Sequence, residues 1–245
     1  MNKKSLWISI IAVGLSFVGG FLLANALNRS QMDSISGENG RLKAEQSRQS
    51  EGASRESLSS EEIQDKIAEA DQNPGNFQFQ KNLGLALYRY SAMKKDAAML
   101  PDAIRLLERA NGIKPGDRDV QLGLGHGYFD SGYYNKNNKS FESAREYYRQ
   151  ALTEKPGDAD IRTEIGLTYF LQDPPDLRMA TENFEASLAI DPQHEKTLQF
   201  LIQSLVKQNE VEKAGQYLEH LKAANPASEA LSELSRLVTN PALNQ

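Results

Sequence analysis

The sequence predicts an all-α protein: one N-terminal transmembrane helix, a disordered linker, and an α-solenoid of about four helix-turn-helix repeats closed by a C-terminal capping helix. Three observations predict it. An uncharged apolar run occupies residues 6–26 of a 245-residue chain. Prolines at 74, 115, 156, 192 and 226 recur at intervals of 41, 41, 36 and 34 residues. They sit in similar phrases, NPGN, KPGD, KPGD, DPQH and NPAS. Between the prolines, apolar residues fall at helical spacing, not in strand alternation.

The first element spans 1–27. Its apolar run reads LWISIIAVGLSFVGGFLLANA, and roughly twenty helical residues cross the ~30 Å hydrocarbon core of a bilayer. Lys3 and Lys4 precede it, while Arg29 follows and is soon offset by Asp33 and Glu38. The positive-inside bias then places the N-terminus in the cytoplasm and the rest of this single-pass chain outside it. That is the periplasm if the cell is Gram-negative. Ala24-Asn25-Ala26 also fits a small-x-small cleavage pattern, so the alternative is a secreted protein cut near Ala26. Against cleavage, the run exceeds the 7–15 residues usual for a signal h-region. Ala12, Ser16, Gly20 and Ala24 form a small-residue stripe that would permit helix–helix association in the membrane.

Residues 28–58 are rich in Ser, Gln, Glu, Arg and Gly and hold too few apolar groups to offset the entropy of ordering. They read as a flexible linker with a root-mean-square span of about 30 Å. Ser59 followed by Glu62 reads as a capping box opening the soluble domain, 59–245.

Within that domain the repeats are placed at about 77–117, 118–158, 159–194 and 195–228, with a cap at 229–240. Ahead of each proline runs an amphipathic helix: Ala103, Leu107 and Ala110; then Ala144, Tyr148 and Ala151; then Ala180, Phe184 and Ser187; then Ala214, Leu218 and Leu221. After each proline comes a second helix carrying Leu83-Gly84, Leu124-Gly125, Ile165-Gly166 and, in the last unit, Leu201-Ile202. Glycine inside a helix costs about 1 kcal/mol against alanine. Three at one repeat phase therefore imply close packing of the paired helix. Extra residues fall between the paired helices at 91–100, 133–139 and 173–176. The stretch SGYYNKNNKS reads as a loop.

This recurring set of Leu-Gly, Tyr, Ala, aromatic, Ala and Pro resembles the tetratricopeptide repeat family over about residues 61–240. The resemblance implies a solenoid in which the first helix of each repeat lines a concave, protein-binding face. On this chain that face would hold Gln78, Lys81, Leu85 and Tyr88; Asp119, Leu122, His126 and Phe129; Asp160, Thr163, Leu167 and Phe170; and Lys196, Gln199, Gln203 and Val206. Family members that grip a C-terminal carboxylate use a Lys, Asn and Arg clamp. Lys81 fits one place, but Leu85 stands where the Asn is expected, so the clamp is incomplete.

Nothing in the sequence points to catalysis. There is no cysteine, which removes thiolate metal sites and disulfides. His126, His194 and His220 share no metal-ligand spacing, and no phosphate loop or nucleophile elbow occurs. GLGHG at 123–127 lies inside a helical pattern, not between a strand and a helix. No enzyme, cofactor or metal site is expected. Residues 61–245 hold 21 basic and 28 acidic residues, a balance that repels nucleic-acid phosphates. The expected partners are proteins of unknown identity and, through residues 6–26, a membrane. The expected function is a membrane-anchored scaffold or adaptor for an envelope complex, holding a peptide or helix in its groove. Anchored repeat proteins of cytochrome c biogenesis are one such kind. A self-associating structural membrane protein, or an enzyme built around His126, are the alternatives.

Overall fold

The computed structural model describes residues 59–240; the expected span at 6–26 and the linker at 28–58 lie outside them. Among the described residues there are ten α-helices and one short 3-10 turn, and no helix is long and apolar enough to cross a membrane. They are α1 (Ser60–Gln72), α2 (Phe77–Lys94), α3 (Leu100–Ile113), α4 (Arg118–Asn135), α5 (Asn138–Glu154), α6 (Ala159–Leu171), α7 (Leu177–Leu188), α8 (Glu195–Lys207), α9 (Val211–Ala224) and α10 (Leu231–Thr239).

Helices α2 and α3 form the first pair, α4 and α5 the second, α6 and α7 the third, and α8 and α9 the fourth. Each first helix packs most extensively on its own partner and then on the neighbouring pair. Helix α1 packs on α2, and α10 packs on α8 and α9, covering the two ends of the stack, as solenoids require.

The sequence dictates where each helix starts and stops. Asn76, Asp117, Asp158 and Asp176 each accept a hydrogen bond from the backbone N–H three residues on, which satisfies an otherwise orphaned donor. Helix α3 ends one residue before Lys114-Pro115, and Gly116 turns the chain at a φ of +88°, a conformation glycine adopts without strain. Helix α5 ends likewise before Lys155-Pro156.

The amphipathic positions ahead of the prolines form the core. From Ala103 to Leu221, the twelve residues named for the helices ahead of the prolines are at most 5% exposed. Their large side chains fill the space the in-phase glycines leave open. A Cβ on Gly84 would lie 2.8 Å from Leu107, and one on Gly125 or Gly166 would lie 2.5 Å from the ring of Tyr148 or Phe184. Close helix packing is thus the reason for all three. In the fourth pair Ile202 occupies the phase instead and is fully buried.

The stretch expected to loop is instead mostly helix. Helix α4 continues through Ser131–Asn135, and only Lys136 and Asn137 turn before α5. The first repeat behaves alike: α2 runs to Lys94, Lys95 and Asp96 turn, and Ala97–Met99 is a 3-10 turn. Helices α2 and α4 have 18 residues against 13 in α6 and α8. Five extra residues lengthen a helix by about 7.5 Å. Covering the new turn explains the outcome. Gly132 lets Phe141 approach, since a Cβ there would lie 2.8 Å from that ring, and Phe141 is buried.

Candidate protein-binding groove

The first helices bring much of the expected face together. Tyr88 of α2 stacks on His126 of α4, with ring centroids 5.9 Å apart and planes 15° from parallel. The other side of His126 meets Tyr148 edge-on at 5.3 Å, and its Nδ1 lies 2.8 Å from the Tyr148 hydroxyl. Burial lowers the pKa of His126, so the imidazole is neutral at pH 7. Phe129 and Phe170 follow one repeat apart, each edge-on to a neighbour, Phe141 and Phe200. Leu85 reaches across to α4, where it lies over Gly123. Leu85, Leu122, Tyr88, Phe129 and Phe170 all remain partly open to solvent.

Other residues of the expected set serve the fold. Thr163 is fully buried, and its hydroxyl lies 2.9 Å from Ser187 and 2.6 Å from Thr197. Leu167 and Val206 are also buried. Gln199 and Gln203 are half-buried, with Gln199 donating to Glu195.

The charged members are tied down. Lys81 donates to Asp117 at 2.7 Å and to Asp119 at 2.8 Å. Burial works against the charge of Asp117, but hydrogen bonds from Lys81 and the Val120 N–H outweigh it and hold the carboxyl below its usual range. Lys81 is therefore already committed, and a ligand carboxylate would have to displace two acids. The His194 ring hydrogen-bonds Asp160 at 2.9 Å and holds that carboxyl low. Lys196 meets Glu164 at 2.5 Å.

Two acids absent from the expected set belong to this face. Glu164 of α6 lies in the electrostatic reach of Tyr88, His126 and Tyr148. Asp130 of α4, one turn after His126, is partly buried and has no hydrogen bond or ion pair among the described residues. Burial, with Glu164 nearby, pushes its carboxyl up to about 6. The spacing from His126 to Asp130 was the signal that could have found it.

No group of three or more His, Asp or Glu among the described residues is placed to hold a metal ion. A pocket of about 360 Å³ does occur, but at the outer turns, where Tyr133, Lys136, Asn138, Phe141 and Gln172 line it. It contains no histidine.

The helical pairs, packed closely at their in-phase glycines, form an α-solenoid. Residues 125–158 match the family model described as Tetratricopeptide repeat. Among solved structures, a crystal structure of MamA is similar over 67% of this chain and 87% of its own, at 16% identity and a TM-score of 0.53. The MamA RS-1 ArsTM double mutant is similar over 69% and 86%, at 15% identity and a TM-score of 0.55. The C-terminal part of a TPR repeat-containing protein from Cytophaga hutchinsonii is similar over 71% and 65%, at 17% identity and a TM-score of 0.54. At these identities the likeness establishes the fold. No curated protein matches the sequence.

Proposed function

We propose that the chain is a scaffold that binds another protein, holding an extended peptide or amphipathic helix of its partner along the face of α2, α4, α6 and α8. The observation that carries this reading is the partly open apolar and aromatic row from Leu85 and Tyr88 through Leu122 and Phe129 to Phe170. Such a row offers apolar area to a partner's apolar stripe. Residues 6–26 would hold the scaffold at a membrane with the repeats on its outer side, where it would help assemble an envelope complex. That part rests on the apolar run and the lysines before it.

The test is site-specific photocrosslinking of the full-length chain in its native membrane. A photoreactive side chain at Leu122 should crosslink to a discrete partner. The same group at Glu146, exposed on α5, should not. Equal crosslinking from the two positions would remove the groove reading.

A further inference from the structure

The charges along the groove do not balance. Of its lysines, Lys81 is taken by Asp117 and Asp119 and Lys196 by Glu164, while Lys207 lies over the Phe170 ring at the far end. Asp130 remains, with no counter-ion among the described residues. It is not an ordinary surface acid, because it is partly buried on α4, one helical turn after His126 and one before Tyr134. The phenol of Tyr88 lies within its field and that of Glu164, and that hydroxyl also has no hydrogen-bond partner among the described residues. A half-buried carboxylate without a partner opposes folding. A cation delivered from outside would relieve that cost, and Tyr88, still partly open to solvent, supplies an aromatic ring beside which a guanidinium can lie.

We infer that the segment bound in the groove presents an arginine or lysine side chain, which enters beside Tyr88 and pairs with Asp130. This rests on the groove reading above and adds the chemistry of the occupant. The incomplete carboxylate clamp at the Lys81 end points the same way. An acidic tail finds no free cation there, whereas a basic segment finds a free anion one repeat further on. Arginine suits the site better than lysine, since its planar fork can bond a carboxylate and lie on a ring at once.

The test uses the full-length chain in detergent and two synthetic amphipathic helical peptides. One is built of leucine and arginine; the other has citrulline, neutral and of the same shape, at each arginine. Titration calorimetry should show the arginine peptide binding about tenfold more tightly, the scale of one charge-assisted pair. Asp130→Asn should bring the two peptides within about twofold of each other and leave citrulline-peptide binding unchanged. Glu146→Gln, outside the groove, should leave the preference intact. Independently, the Asp130 carboxyl followed by carbon NMR should titrate at lower pH once the arginine peptide is bound. Equal binding of the two peptides by the unaltered chain overturns the inference while the groove stands. Binding of neither peptide sinks the groove reading and the inference with it. A preference that survives Asp130→Asn, or falls equally with Glu146→Gln, also overturns the inference, because the general negative field of the domain would then explain it.

Discussion

Single residues divide into those the sequence exposes and those only the folded chain identifies. Gly125 is of the first kind, since its repeat phase alone demands a close neighbour, and Tyr148 is that neighbour. Adding a methyl there must move a fully buried ring that is also bonded to His126. Gly125→Ala should therefore destabilise the protein by about 1–3 kcal/mol in urea denaturation. Gly112 lies in the last turn of α3 with nothing near its Cβ position. Gly112→Ala should leave stability unchanged or raise it by up to about 1 kcal/mol. Asp130 is of the second kind. Its sequence neighbourhood, FDSG, reads as solvent-facing, and burial in the folded array, with Glu164 of α6 nearby, makes it unusual. Its folded pKa of about 6 lies above the ordinary carboxylate value, so the ionised form is the less stable one in the fold. Asp130 should therefore contribute a loss of stability as pH rises from about 4 through 6, opposed by the gain from His126, whose pKa is lowered, and Asp130→Asn should remove the Asp130 part. The variant should be more stable than the parent by about 1–3 kcal/mol at pH 8 and equal to it near pH 4. Thermal unfolding at the two pH values reads the difference directly. Thr163 fails in the opposite direction. Its phase places it on the groove, but hydroxyls of Ser187 and Thr197 draw it inward, a pairing across three helices that no local pattern encodes.

At the scale of helices, starts and stops are the most legible feature, because they are written in proline, glycine and short acids. The phrase KPGD works as a unit at both of its occurrences. Lysine and aspartate pair at 3.4 Å from Lys114 to Asp117 and at 3.3 Å from Lys155 to Asp158. Asp158 also accepts from the Ile161 N–H at 3.2 Å and from Arg118 at 2.7 Å. It is thus a helix cap and a link between consecutive first helices. Asp158→Ala should cost more than an ordinary cap, roughly 2–3 kcal/mol, because Arg118 loses its carboxylate as well. Asp158→Asn should recover about half of that, since its oxygen can still accept from the helix. Chemical denaturation of the two variants distinguishes them. Helix lengths were less legible. SGYYNKNNKS has the composition of a loop, and propensity alone would end α4 near Ser131. Burial of Phe141 against Gly132 rewards the additional turn, and tertiary packing overrides local preference.

For the array as a whole, the proline period and the apolar phases made the all-α architecture readable before any contact was known, whereas the groove's electrostatics depend on helices distant in sequence. The core is correspondingly segmented. Among the described residues it falls into clusters that follow one another along the stack: one around Ile63, Ile67 and Leu87, one around Leu107 and Leu124, one around Tyr148 and Ile161, and one from Leu167 to Leu234. Each helical pair draws its stability from itself and its neighbours, so damage should stay local. Leu107 is fully buried and contacts the backbone of α2 at Gly84 and of α4 at Gly123. Leu107→Ala leaves a cavity worth about 2–5 kcal/mol at that junction. In hydrogen exchange, amides of α2, α3 and α4 should lose protection by the corresponding factor, while those of α8, α9 and α10 should change far less. A uniform loss from α1 to α10 would instead mean one cooperative unit. A groove in such a unit would move as a rigid body, whereas local opening would let the first two repeats adjust around a bound segment without loosening the last two.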